Sequence, residues 1–202
     1  RQLQYYMAGH GLYFTAMGIQ SVLYPWLLTV LLKETADRVG IGQMLFYLPT
    51  LLLVLYGGAV ADRNDCRSLL LRLQFGAALP SLVLIGLTLG GLLNFSALVL
   101  FALVTGALSA FLTPARDSLL TRVGGNDIQR AVNALMMVQF SGQFLGLMLA
   151  GTASLVGPLP LLALQVAAML AAVFTTWRLD PAPPQPRAQP SNRLADVVDG
   201  MR

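Results

Sequence analysis

Two long stretches without a single charged residue constrain this chain more than any other feature. One runs from residue 73 to residue 115 and the other from residue 131 to residue 177, which makes them 43 and 47 residues long. About 20 apolar residues already cross the hydrocarbon core of a bilayer, because an α-helix rises about 1.5 Å per residue. Each stretch therefore holds two crossings and a tight return, and the pairs Gly90-Gly91 and Gly157-Pro158 mark the returns.

Two shorter uncharged stretches, residues 2–32 and 39–61, supply one crossing each. Charged residues make up 11% of the chain, whereas a soluble domain carries about 25%. The sequence therefore predicts an all-α membrane protein with six transmembrane helices in residues 1–180, at about 8–32, 39–61, 69–93, 95–115, 131–156 and 159–178. Residues 181–202 are expected to form a cytoplasmic Pro-rich linker and a short amphipathic helix.

The basic residues are unevenly distributed among the predicted loops. Only Lys33 and Arg38 lie on one side, and the other eleven lie in the terminal segments and even-numbered loops: Arg1, Arg63, Arg67, Arg72, Arg116, Arg122, Arg130, Arg178, Arg187, Arg193 and Arg202. The positive-inside rule then places both ends of the chain in the cytoplasm, and we expect a bacterial cytoplasmic membrane. Because these arginines are strung between spans, we expect membrane lipid as a partner and no nucleic acid.

Several kinds of chemistry are not expected. His10 is the one histidine and Cys66 the one cysteine, so the sequence predicts no metal site, no disulfide within the chain and no cofactor. The spans contain no histidine pair, no paired carboxylates and no nucleophile–base set, so we expect no enzyme.

The connection between the second and third spans carries a motif. It reads Gly58-Ala-Val-Ala-Asp62-Arg63-Asn-Asp-Cys-Arg67. Gly58 allows two helices to cross closely, and Asp62 is suited to cap the N-terminus of another helix. Arg63 and Arg67 can bind carboxylates on a neighbouring helix or lipid phosphates.

Two further segments accompany this motif: Gly106-Ala-Leu-Ser-Ala-Phe-Leu-Thr-Pro-Ala-Arg116-Asp117 in the fourth span, and Gly142-Gln-Phe-Leu-Gly146 in the fifth. With them the chain resembles the major facilitator superfamily, and more narrowly its enterobactin-exporter and macrolide-efflux branch. The resemblance implies two inverted three-helix repeats that form half of a twelve-helix fold. It also implies a conformational latch, which is a set of contacts that stabilises one state of the transporter. The latch residues are Gly58, Asp62, Arg63, Arg67, Arg116 and Asp117.

The same resemblance implies that the second six-helix half follows in the same chain, and the start at Arg1 rather than Met favours a piece of a longer protein. The chain departs from the drug–proton antiporters of this superfamily at two positions. Ala102 stands where they often carry an arginine, and Leu147 follows Gly146 where a proline is usual. Both departures weaken the case for proton antiport.

Polar and aromatic residues recur at helical spacing in three spans and predict a cavity face. The candidate substrate contacts are Tyr13, Gln20, Tyr24, Gln43, Tyr47, Gln139 and Gln143. His10 continues the first-span stripe and is a candidate proton site, because imidazole titrates near neutral pH. The alternative interpretation is that these side chains make interhelical hydrogen bonds or anchor at the interface.

These observations favour a secondary active transporter that exports a small amphipathic compound, drug-like or siderophore-like, by alternating access with cation or proton coupling. Two alternatives remain open at this point: a lipid or lysolipid flippase of the same fold, and a half-length membrane scaffold that does not transport.

Overall fold

The computed structural model describes residues 2–123 and 128–179, without the side chains of Asp62, Arg122, Val123 and Ile128. The predicted linker and amphipathic helix at 181–202 lie outside the described residues. The described chain is all helical: α1 Gln2–Trp26, extended by a π-helical turn Leu27–Leu31, α2 Ala36–Arg63, α3 Cys66–Leu89, α4 Phe95–Val123, α5 Ile128–Ala150, the short α6 Ala153–Val156 and α7 Pro158–Trp177. Six of these helices are long and apolar enough to cross a membrane, which confirms the predicted fold class.

The helix ends follow from local chemistry. Asp65 caps α3 because its Oδ2 accepts a hydrogen bond from the Ser68 backbone N–H at 3.0 Å. Gly91 and Gly157 have φ angles of +64° and +80°, a left-handed conformation that glycine adopts without strain, and they form the two returns. The predicted spans differ from the helices by four residues or more at four ends. Helix α1 begins at Gln2 rather than at residue 8, and α3 ends at Leu89 rather than at residue 93. The fifth span stops at Ala150 rather than at residue 156, and α4 continues through Pro114 to Val123 rather than ending at 115.

The six long helices form a series in which each helix packs on the next. Helix α2 packs on α4, α4 on α3, α3 on α7, α7 on α1, and α1 on α5. If α1, α2 and α3 are exchanged with α4, α5 and α7, four of these pairs map onto one another and the pair α3–α7 maps onto itself. Two three-helix repeats would produce this symmetry, although no repeat is visible in the sequence itself.

Glycines allow the closest helix approaches. Between α1 and α5, a Cβ on Gly146 would overlap the backbone oxygen of Thr15, and a Cβ on Gly18 would overlap that of Gln143. Between α4 and α2, Gly106 meets the Phe46 carbonyl in the same way. In lipid the hydrophobic effect does not drive helices together. Close van der Waals packing does so instead, and small residues permit it because they let the backbones approach closely. The bundle therefore contains two tightly packed pairs, α1–α5 and α2–α4.

A buried amide network joins three helices on the other side of α1. The Gln165 Nε2 of α7 donates to the Gln20 Oε1 of α1 at 2.9 Å and lies 3.0 Å from the Ser81 Oγ of α3. All three side chains are at most 2% exposed. Polar groups in an apolar interior need such partners, so this network fixes α1 against α3 and α7.

Candidate functional site

A cavity of about 420 Å³ lies between the two tightly packed helix pairs. Its wall comes from α1, α2, α4 and α5, and most of the lining side chains are aromatic, amide or hydroxyl groups. Tyr47 lines the cavity and is 64% exposed, so the cavity reaches the surface of the bundle. The volume lies within the range of about 300–1,000 Å³ that small-molecule pockets occupy.

All seven predicted substrate contacts lie in this wall, on α1, α2 and α5. Their role as substrate contacts stays a prediction. Three of them also make the interhelical bonds that the alternative interpretation expects. Tyr24 donates its hydroxyl to the Gly42 carbonyl at 3.2 Å, Gln20 belongs to the amide network, and the Gln139 Oε1 lies 3.4 Å from the His10 Nε2. By contrast, Gln43 and Gln143 are half-buried in the wall, and no hydrogen bond joins their side chains to other described residues.

His10 lies at one end of the cavity and is 8% exposed. Its Nε2 is 3.4 Å from the Gln139 Oε1, and its ring lies against Phe14 with the centroids 4.6 Å apart. Its Nδ1 is buried without a hydrogen-bond partner among the described residues. The described residues therefore satisfy one ring nitrogen of His10 and leave the other without a hydrogen bond.

Arg116 and Asp117 were placed in the latch, but the structure includes both in the cavity wall because α4 extends past residue 115. The guanidinium carbon of Arg116 lies 3.0 Å from the centroid of the Tyr13 ring, and the Arg116 side chain is buried. Its backbone carbonyl accepts a hydrogen bond from the Tyr6 hydroxyl at 2.8 Å. Asp117, one residue further, is exposed.

The predicted motif residues lie at the turn between α2 and α3. Arg67 donates from Nη2 to the backbone carbonyl of Trp177, where the C-terminus of α7 favours a cation. Arg63 is exposed, and the side chain of Asp62 lies outside the described residues. Within the described structure, Arg67 therefore joins α3 to α7.

The expected close approach at Gly58 was wrong. A Cβ at Gly58 would meet none of the described atoms within 4 Å, whereas a Cβ at the preceding Gly57 would overlap the carbonyl of Ala110 on α4. The physical reason is helical phase: adjacent residues lie about 100° apart around the axis, so only one of two neighbouring glycines faces α4.

Sequence reasoning missed part of the site. It did not select five lining residues, Phe14, Ser21, Phe46, Ser109 and Thr113, or the network residues Gln165 and Ser81. A signal for Gln165 was present, because a lone amide within an apolar span requires a partner. Ser109, Thr113 and Arg116 lie at i, i+4 and i+7, one face of α4, but the span was ended too early to reveal it.

One protein family, described as transmembrane secretion effector, matches the chain over residues 12–202. No curated protein and no solved structure gives a significant match. The match begins within α1 and includes the rest of that helix, the other helices that line the cavity and the α2–α3 motif; of the cavity residues, only His10 lies outside it. It confirms the resemblance to the superfamily, while the narrower likeness to enterobactin exporters and macrolide-efflux proteins stays a prediction. The chain therefore belongs to the transmembrane secretion effector family of the major facilitator superfamily, a family of integral membrane transporters.

Proposed function

We propose that this chain is one six-helix half of a transporter and forms part of its substrate cavity. The transporter exports a small amphipathic compound, drug-like or siderophore-like, by alternating access. The observation that carries the proposal is the cavity of about 420 Å³ between two helix pairs. Tyrosine rings in its wall offer apolar faces, and glutamine and serine side chains offer donors and acceptors. This combination suits a compound with an apolar body and a few polar groups.

A second six-helix half would complete the cavity wall, and we propose that it is the main partner of this bundle. In support, the cavity residue Tyr47 and its neighbours on α2 present a large exposed surface, with Leu51 at 74% and Leu55 at 85%. On α5, Met137 is 74% exposed. Lipid chains suit the leucines, but the hydroxyl of Tyr47 beside a polar cavity suits a protein or substrate contact better.

The remaining parts of the proposal concern coupling and orientation. Export is coupled to a cation or proton, with His10 as the candidate proton site because one of its buried ring nitrogens has no partner among the described residues. Gly58, Asp62, Arg63, Arg67, Arg116 and Asp117 act as the latch that favours one state of the bundle. The protein lies in a bacterial cytoplasmic membrane with both ends of this chain in the cytoplasm, and the arginine distribution supports this orientation.

The test is efflux of N-phenyl-1-naphthylamine, an uncharged aromatic amphiphile, from proteoliposomes of the full native protein under an imposed proton gradient. A Tyr47→Ala variant removes an exposed ring from the cavity wall with little effect on packing. Loss of one aromatic contact weakens apparent affinity roughly three- to tenfold. Tyr5→Ala is the matched control, because Tyr5 is an exposed tyrosine of α1 that does not line the cavity.

Equal efflux in both variants and the native protein would contradict the assigned cavity, and absence of efflux in the native protein would contradict export of such compounds. The same liposomes can carry a fluorescent phospholipid whose headgroup is quenched by external dithionite. Headgroup translocation without dye efflux would identify a flippase instead, and neither activity would favour the scaffold.

A further inference from the structure

Arg116 is a buried cation without a counter-ion among the described residues. Its side chain is 5% exposed, and no described carboxylate lies within 4 Å of its guanidinium nitrogens. Its Nη2 has no hydrogen-bond partner among the described residues. Charged side chains within membrane spans almost always pair with an opposite charge, because an uncompensated charge in an apolar medium is costly. Arg116 lies in a cavity wall without an ion-pair partner among the described residues, so its surroundings favour an anion at this site.

The guanidinium is also held in a fixed position. Its carbon lies 3.0 Å from the Tyr13 ring centroid and 5.8 Å from that of Phe14, so the two rings fix it against α1. The Tyr6 hydroxyl binds the Arg116 carbonyl and restrains the backbone from which the side chain extends. A planar cation held in this way can form two parallel hydrogen bonds to a carboxylate, sulfonate or phosphate at little further entropic cost.

Asp117 does not fill this role in the structure. It follows Arg116 directly, so the two side chains leave α4 about 100° apart. Asp117 is exposed while Arg116 is buried, which means that water can solvate the carboxylate but not the guanidinium. The neighbouring cavity residues Thr113 and Ser109 are uncharged.

We propose that Arg116, stacked on Tyr13, binds an acidic group of the transported compound, so that the substrates are amphipathic anions whose apolar body lies among the cavity tyrosines. This inference rests on the proposed export function and narrows its substrate class. Carboxylate, sulfonate and phosphate groups share the chemistry that the guanidinium recognises.

The first measurement needs no variant. The full native protein in lipid nanodiscs binds N-phenyl-1-naphthylamine, and two competitors of equal size displace it, naphthalene-1-sulfonate and the uncharged naphthalene-1-sulfonamide. Empty nanodiscs correct for partitioning into lipid. Because a hydrogen bond to a charged group contributes a factor of about ten or more in affinity, we expect the sulfonate to displace the dye at a concentration at least about tenfold lower.

The second measurement assigns the preference to Arg116. Arg116→Gln should reduce the sulfonate preference about tenfold, and Arg116→Lys should retain part of it, because lysine keeps the charge but loses the planar stacking. Arg72→Gln is the matched control, since Arg72 is an exposed arginine of α3 outside the cavity wall. It removes the same charge and should leave the preference unchanged.

Equal displacement by the two competitors would overturn the anion site, while continued dye efflux would leave the export function standing. A preserved sulfonate preference in Arg116→Gln would also overturn it, because the preference would then come from another part of the protein. A native protein that neither binds nor exports the dye, and that binds no naphthalene-1-sulfonate in isothermal titration calorimetry, would overturn both the site and the proposed function.

Discussion

The closest contact between α1 and α5 gives the sharpest stability prediction. Substituting Gly146 with alanine adds a Cβ that would overlap the Thr15 carbonyl and stand 2.8 Å from the Gly18 Cα, whereas ordinary contact begins at 3.4 Å. Both neighbours are backbone atoms, so no side chain can rotate away. Helix α5 must therefore move from α1 by at least about 0.6 Å, and it carries Gln139 and Gln143 of the cavity wall with it.

The expected cost follows from two opposing effects. Overpacking a tight contact costs about 1–3 kcal/mol, while replacing glycine with alanine in a helix gains about 1 kcal/mol. Gly86→Ala in α3 is the matched control, because it gains the same helix propensity and its Cβ meets nothing within 4 Å. The difference between the variants is thus about 2 kcal/mol, or roughly 4–8 °C in melting temperature for a chain of this size.

Cys66 provides the assay. It is the one cysteine of the sequence and is 1% exposed, so a coumarin maleimide reacts with it only after the bundle opens. Gly146→Ala should react at the lower temperature of the two variants, and Gly86→Ala at or above the temperature of the native protein. Identical reaction temperatures would refute the reasoning, because they would mean that α1 and α5 are not in close contact at Gly146.

Two further predictions concern the amide network and the latch. Gln165→Leu leaves the Gln20 and Ser81 side chains buried without their partner, so it should lower the free energy of unfolding by about 1–3 kcal/mol in the same thiol assay; an unchanged melting temperature would show that the network contributes nothing. Asp62→Asn should slow dye efflux while expression and melting temperature stay constant, since the latch changes the balance of two states rather than the fold; native efflux rates would remove the latch proposal.

Helix existence was predictable from the sequence, whereas helix ends and helix phase were not. Uncharged stretches long enough for two crossings require two helices each, because unpaired backbone groups are excluded from lipid. The end of α4 was misplaced because Pro114 and Arg116 signal a helix boundary locally, yet Pro114 is accommodated within the helix. Which of Gly57 and Gly58 faces α4 depends on the rotation of α2, and local sequence does not specify that rotation.

The cavity stripe on α1 was predictable because helical spacing alone places its members on one face. The partners of those residues were not predictable, since they lie far away in sequence: Gln20 meets Gln165, and His10 meets Gln139. Helical periodicity therefore locates a polar face. It does not distinguish a side chain that is free to contact a substrate from one that is already hydrogen-bonded within the protein. Gln43 and Gln143 have no hydrogen-bond partner among the described residues and stay predicted substrate contacts, whereas Gln20 already has a partner in Gln165.

The packing within the helix pairs and the hydrogen bonds between them determine how the bundle can move. Glycine contacts make α1–α5 and α2–α4 tight pairs, so bending within a pair would break backbone packing. Across the cavity, polar links join the pairs near both ends, where Tyr6 binds the Arg116 carbonyl and Tyr24 binds the Gly42 carbonyl. Single hydrogen bonds exchange more readily than interlocked backbones, since each contributes about 1 kcal/mol. If a bound substrate strained the Tyr6 link at one end of the cavity and not the Tyr24 link at the other, the two ends would open separately, which is the asymmetry that the proposed alternating access requires.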